Sequence, residues 1–296
     1  MKPIRTALFA PGIKDKVMAK ALESGADAVI LDLEDSVPLA SKAEARTLVA
    51  GVIDAFAKSG RSGPQITVRV NGAQTGLLMD DLAAIVRPGL NAILLPKVES
   101  IEEVRDTEAA MARHEKTHGM AEGSAEIVLQ IESALGVHRC FDLIKASKRV
   151  GGTCIGVARD GDLQTDLGCS WSIEGTELLY ARSKVLLETR AAGPEIVPLD
   201  GVFSDLADES GLLADSRLSA RLGYIGRTVI HPKQIGPVKQ AYAVPAAEVA
   251  YYTKVVAEFE AALKTGAAAI VVEGKLVDYA MYQRAKRVLA VAALDK

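Results

Sequence analysis

Short apolar runs recur along this chain at a steady spacing, each followed by amphipathic, helix-favouring sequence. Runs such as AVILDL at 28–33 and AILLP at 92–96 are apolar nearly throughout, as strands covered on both faces must be. Strands alternating with helical stretches read as βα units around a parallel sheet. Strands are predicted at 6–10, 28–33, 66–70, 92–96, 126–131, 150–157, 196–199 and 228–230. Helical patterns lie at 16–24, 41–58, 101–118, 175–192 and 215–222. This rhythm points to an α/β fold, a (β/α)8 TIM barrel, which needs about 250 residues. A doubly wound sheet is the alternative. The stretch 245–296 does not fit the repeat: 246–264 reads as a long helix, GAAAIVVEGKLVDYA as an extended apolar segment, and 282–294 as a further helix. The expected organisation is a barrel domain at 1–244 and a C-terminal tail at 245–296 that covers something or reaches a neighbour.

Charge narrows the possible partners. Lys plus Arg number 35 against 38 Asp plus Glu, a net charge of −3, so there is no basic excess to hold a phosphate backbone and nucleic acid is not an expected partner. With 49% hydrophobic and 25% charged residues the chain is globular in composition. No apolar run approaches the roughly 18 residues of a membrane span. The opening MKPIRTALFAPG turns to Pro and Gly too early for a signal-peptide core. Cys140, Cys154 and Cys169 are widely spaced with no C-x-x-C, which argues against a disulfide framework or zinc knuckle and for a reducing, cytoplasmic setting. His114 and His118 lie four apart on a predicted helix without a third soft ligand, and are expected on a solvated face.

In a barrel of this kind, chemistry gathers where strands end and βα loops begin. The residues at those positions are Pro11-Gly12, Asp32-Leu33-Glu34-Asp35, Arg69-Val70-Asn71, Pro96-Lys97, Gln130-Ile131-Glu132, Arg159-Asp160-Gly161-Asp162 and His231-Pro232. Glu132 with an aspartate near 160 could share a hard divalent cation, and an oxygen-only donor set favours Mg²⁺ or Mn²⁺ over zinc. The alternative is that Glu132 caps the helix after it, and Asp162 or Asp166 the next. Arg69 ends the alternating run ITVRV and suits either a clamp on a substrate oxyanion or an ion pair with Glu34 or Asp35. The cluster Asp32–Asp35 is expected to orient Arg69 or a metal-bound water. Lys97 is a candidate Schiff-base lysine, with a salt bridge to Glu99 or Glu132 as the favoured alternative. Cys154 falls in a strand pattern and reads as core. There is no G-x-S-x-G, P-loop or G-x-G-x-x-G.

The series LFAPG, ALESGADAVILDLEDSV, VRVNG, LLPKVES, QIESALG, DLQTDLG, YARSKVLLETRAAG, DGVFSD and IHPKQI, in this order along nearly the whole chain, resembles the citrate lyase β-subunit family. That family lies in the HpcH/HpaI aldolase group, with malyl-CoA and citramalyl-CoA lyases. The resemblance implies a Mg²⁺-dependent barrel that cleaves a β-hydroxyacyl-CoA thioester into acetyl-CoA and a 2-oxo acid. It implies Glu132 and Asp162 as metal ligands and Arg69 as the ligand of the substrate carboxylate or thioester oxygen. It implies contacts with the CoA arm from Phe9, Ala10, Lys14 and Lys20 and from Ile230, His231 and Pro232. With Glu34 and Asp35 beside Arg69 and Gly161 beside Asp162, these complete the expected site.

The tail segment EGKLVD resembles a motif near the end of malyl-CoA lyases, whose aspartate acts as acid/base in a neighbouring subunit's site. That residue is Asp278, and the likeness implies a homo-oligomer, a trimer or a multiple of one. It is also expected to separate this chain from citrate lyase β-subunits, which the resemblance pictures as shorter and without the motif. The sequence departs from the family in Arg159-Asp160 just before Gly161-Asp162, where small residues are usual. Asp162 is preferred over Asp160 as ligand because LxxDLG keeps the family spacing. Competing readings are a thioesterase on the same substrate, a metal-dependent aldolase on free 2-oxo acids, and a non-catalytic acyl-CoA-binding subunit.

Overall fold

The computed structural model describes residues 4–264 and 266–293; residue 294, the predicted end of the last helix, lies outside the described residues. The chain divides into two compact units, Met1–Ala241 and Tyr242–Lys296. The first holds eight parallel strands, β1 (Thr6–Pro11), β2 (Ala28–Asp32), β3 (Gln65–Arg69), β4 (Ala92–Leu95), β5 (Glu126–Ile131), β6 (Val150–Ile155), β7 (Val197–Asp200) and β8 (Gly226–Val229). They pair in chain order and close through β8 on β1, a (β/α)8 barrel. Its helices are α1 (Asp15–Leu22), α2 (Lys42–Ser59), α3 (Leu78–Ile85), α4 (Ile101–Thr117), α5 (Ala134–Lys145), α6 (Asp162–Leu167), α7 (Thr176–Ala192), α8 (Glu209–Leu222) and α9 (Ile235–Tyr242), the last crossing the unit boundary. No helix among the described residues is long and apolar enough to cross a membrane.

Strand alternation decides what fills the barrel. Ala7, Ala28, Ile30, Ala92, Leu94, Val128, Cys154, Val197 and Leu199 belong to one buried cluster inside it. Their neighbours in sequence, such as Leu8, Val29, Leu31, Ile93, Ile127 and Leu129, are buried too, on the outward face. That double burial is why the strands read as unbroken apolar runs. β8 begins earlier than predicted because Arg227 interrupts its apolar pattern. The Arg227 guanidinium is fully buried, pairing with Asp215 at 2.8 Å and donating to the Gly201 carbonyl. β6 ends at Ile155, before the predicted 157, and only the Gly156 N–H continues the pairing, at 2.8 Å to the Ile131 carbonyl.

A buried ion pair ties the amino-terminal ends of β5 and β6 to α4. Arg149 reaches Glu115 at 2.7 Å, and Glu115 also accepts from the Gly123 and Ala125 N–H groups.

The second unit packs α10 (Ala246–Leu263) and α11 (Tyr279–Ala292) with a hairpin of β9 (Ala269–Val272) and β10 (Lys275–Asp278). The predicted single extended segment is thus two strands. Glu273 and Gly274, both at positive φ (49° and 78°), form the two-residue turn that such hairpins favour. Val255, Phe259, Val272, Val277, Tyr282 and Ala285 make its own core, with Phe259 stacked on Tyr282 at 4.9 Å.

Candidate active site

One step further along the inward faces of β2, β3 and β5, charged and amide side chains take over. Asp32 follows Ile30, Arg69 follows Thr67, and Gln130 and then Glu132 follow Val128, each two residues on and so on the same face. With Phe9, Cys154 and Thr228 they line a cavity of about 490 Å³ at the carboxyl ends of the strands. A cavity of this size takes a small organic acid or the reacting end of a longer ligand.

Arg69 is held from one side by carboxylates. Its Nε and Nη2 each donate to Asp32 at 2.7 Å, a bidentate pair. Nη1 lies 3.0 Å from Glu34 and donates to Asp35 at 3.1 Å. Nη1 is thus shared between two carboxylates, whereas Nη2 carries two N–H groups, spends one on Asp32 and keeps one for a ligand oxygen. Burial alone would raise the Asp32 carboxyl, but the hydrogen bonds and charge of Arg69 outweigh it and hold the pKa below the ordinary value. Glu34 goes the other way, raised by burial in spite of Arg69.

The loop carrying these acids is pinned from below. Asp32 accepts from the Glu34 N–H at 2.9 Å and the Ser36 N–H at 3.2 Å. Buried Lys42 donates to the carbonyls of Leu33 and Glu34 at 2.6 and 2.7 Å, and Asn71 to that of Leu33 at 3.1 Å. Both sequence readings of Arg69 are therefore compatible: it is ion-paired, and it keeps a donor for a ligand.

Across the cavity stand Glu132 and Asp162. Glu132 is buried and accepts from the Lys97 backbone N–H at 3.0 Å and from Gln130 Nε2 at 2.5 Å. Burial, reinforced by the charge of Glu34, pushes its pKa up to about 7. The capping alternative fails for Glu132, since Ser133 caps α5 by accepting from Gly136. Asp162 opens α6 without a capping bond, and Asp166 turns instead to the Ala134 N–H at 2.6 Å.

Lys97 does not pair with Glu99 or Glu132 through its side chain as expected. Its ammonium lies 3.1 Å from Glu34, 3.5 Å from Asp162 and 3.7 Å from Asp35. Burial opposes its charge, but these carboxylates more than compensate and hold the ammonium's pKa above the ordinary value.

Gly156 makes room for Glu132. A Cβ at that position would lie 2.6 Å from the Glu132 Cβ and 3.3 Å from Oε2. Glu132 and Asp162 both face the cavity and give an all-oxygen donor pair that suits a hard cation completed by water or substrate. Among the described residues no group of three or more His, Cys, Asp or Glu is arranged to hold a metal ion.

Of the residues expected in the site, Phe9, Asp35, Arg69, Glu132, Gly161, Asp162 and Ile230 line the cavity. Glu34 sits behind it, against Arg69 and Lys97. Ala10 is buried, and Lys14 and Lys20 are exposed at the start of and on α1. His231 accepts from the Lys233 N–H ahead of Pro232 and is not on the cavity wall. Asp278, in the second unit, caps α11 by accepting from the Met281 N–H at 2.9 Å. Sequence reasoning missed the roles of Gln130, Gly156 and the Lys97 backbone. Gln130 was within reach of the two-residue period; Lys97 and Gly156 were not, since their parts depend on packing between neighbouring strands.

The profile of the HpcH/HpaI aldolase/citrate lyase family matches residues 5–232. The chain belongs to that family. As a family member it is a carbon–carbon lyase by class. It is 36% identical over 289 residues to the citrate lyase subunit beta of Leuconostoc mesenteroides subsp. cremoris, covering 97% of this chain and 93% of the relative. It is 31% identical over 314 residues to the L-malyl-CoA/beta-methylmalyl-CoA lyase of Cereibacter sphaeroides, covering 99% and 96%. Among solved structures it resembles CitE of Mycobacterium tuberculosis in complex with magnesium, acetoacetate and coenzyme A. That match has 27% identity and a TM-score of 0.74, and covers 99% of both chains. One expectation is corrected here. The tail does not set this family member apart from citrate lyase β-subunits by length, because the Leuconostoc subunit aligns with 97% of the chain.

Proposed function

We propose that the chain cleaves, or in reverse forms, a β-hydroxyacyl-CoA thioester of the malyl or citramalyl type, giving acetyl-CoA and a 2-oxo acid, with Mg²⁺ as cofactor and Mn²⁺ as an alternative ion. The observation that carries this reading is that Arg69, Glu132 and Asp162 line one cavity. The CitE structure solved with magnesium and coenzyme A supports it. When bound by Glu132 and Asp162, Mg²⁺ would supply a Lewis acid for the carboxylate and hydroxyl oxygens of the acyl group.

The residues divide the rest of the chemistry. Carbon–carbon cleavage turns the carbinol into a 2-oxo group as its hydroxyl proton passes to solvent water, and pushes the bonding electron pair into the thioester, as an enolate. Arg69, oriented by Asp32, donates its remaining N–H to that oxygen as charge develops, a contribution of about 3 kcal/mol for a placed donor. The pinned acidic loop keeps the guanidinium from turning away as the substrate binds. Asp278 of a second subunit delivers the proton that converts the enolate carbon to a methyl group. Val271, Leu276, Tyr279 and Met281, all exposed apolar residues around Asp278, support an assembly in which the tail meets another copy, expected to be a trimer or a multiple of one. Phe9 and Ile230 at the cavity, with Lys14, Lys20, His231 and Pro232 beyond it, would receive the CoA arm. The three free cysteines agree with a reducing compartment such as the cytoplasm.

A citryl thioester is also a β-hydroxyacyl thioester, and the 36% identity to a citrate lyase subunit favours it as a second candidate. The test is product analysis on malyl-CoA, citramalyl-CoA and citryl-CoA, with Mg²⁺ and with chelator. Metal-dependent release of acetyl-CoA supports the lyase reading, and the fastest substrate names the 2-oxo acid. Free CoA without acetyl-CoA would replace that reading with thioester hydrolysis.

A further inference from the structure

Lys97 touches both residues assigned to the cation, by different parts of itself. Its backbone N–H holds Glu132 at 3.0 Å, while its ammonium lies 3.5 Å from Asp162. The backbone adopts a left-handed conformation to do so, at φ 54°, which a residue with a side chain rarely takes. From the structure we infer that Lys97 is a positioning residue that fixes the ligand pair and sets how tightly it holds the cation. The backbone contact fixes Glu132. The ammonium, set among Glu34, Asp35 and Asp162, opposes any second positive charge on the Asp162 carboxylate.

These two effects separate on substitution. A neutral side chain at 97 keeps the backbone N–H and removes the opposing charge, so Mg²⁺ should bind more tightly. Like charges a few ångströms apart in a partly buried site repel strongly enough for a change of about tenfold. A purely structural lysine would give the opposite sign, because a loosened Asp162 is a poorer ligand. Arg69 shares Glu34 and Asp35 with Lys97, but its bidentate pair with Asp32 is its own, so its charge is present in every variant.

The inference rests on the proposed reading that Glu132 and Asp162 bind the cation, and calorimetric titration of the full chain with Mg²⁺ alone separates the two. The variants are Lys97→Met, Lys97→Asn, whose side chain tolerates the left-handed backbone, and Lys97→Arg, which keeps the charge. The expected result is about tenfold tighter binding in the neutral variant, or in both where both fold, with Lys97→Arg within about twofold of the parent. Unchanged or weaker binding in the folded neutral variants, with the parent binding Mg²⁺, overturns the role of Lys97 alone. Absence of Mg²⁺ binding in the parent overturns the cation reading and the inference with it.

Discussion

Arg69 shows how much of the site depends on shape as well as charge. A lysine there keeps the cation among Asp32, Glu34 and Asp35 but cannot make the bidentate pair with Asp32 or present N–H groups from a flat fork. Arg69→Lys should therefore lower kcat about 100-fold while leaving the fold intact, checked by steady-state kinetics beside a thermal melt. Gly156→Ala acts from behind Glu132. The added methyl would lie 2.6 Å from the Glu132 Cβ, so the carboxylate must shift. Mg²⁺ affinity should fall about tenfold, with a stability loss of about 1–3 kcal/mol, measured by titration and by denaturant unfolding. That Glu132 and Asp162 line the cavity was legible because each lies where a strand gives way to its βα loop. Their dependence on Gly156 and Lys97 was not, because neither a backbone conformation nor a missing methyl leaves a mark in a one-dimensional pattern.

At the scale of elements, several of the eight strands could be read because double burial leaves unbroken apolar runs. The exceptions share a cause. β8 was placed too late because buried Arg227 is satisfied by Asp215 and the Gly201 carbonyl, and charge was read as exposure. The helices α3, α5, α6 and α9 were not among the helical patterns singled out from the sequence. The Glu115–Arg149 pair is another buried charge that ties elements together. Burial raises the Glu115 carboxyl, but hydrogen bonds from Arg149 and from the Ala125 and Gly123 N–H groups outweigh it, so its folded pKa is lowered. A lowered carboxylate contributes stability that is complete above its unfolded value, near 4.5, and is lost as pH falls through the folded one. Glu115→Gln should thus cost about 3–5 kcal/mol at pH 7, leaving Arg149 buried and unpaired, and the gap to the parent should narrow below about pH 4. Chemical denaturation across that pH range tests it.

For the whole molecule, the proposal places Arg69 and Asp278 of different copies in one site. Arg69→Lys and Asp278→Asn chains, each nearly inactive alone, should regain a substantial share of parental turnover when unfolded together and refolded as mixed oligomers. Mixtures that stay as inactive as the separate variants would place both residues in one chain's site or remove Asp278 from the reaction. The arrangement of the cavity also bears on how such a protein changes over generations. Its floor is drawn from the inward faces of strands spread over the length of the barrel, so a new reaction would require coordinated change at many distant positions. Its rim at 158–161, by contrast, is a single short loop outside any strand. Under the proposed function, descendants can alter that loop and meet a different acid while keeping the strand-borne residues, which makes Ala158 and Gly161, its two cavity-lining members, the place where this lineage has room to diverge.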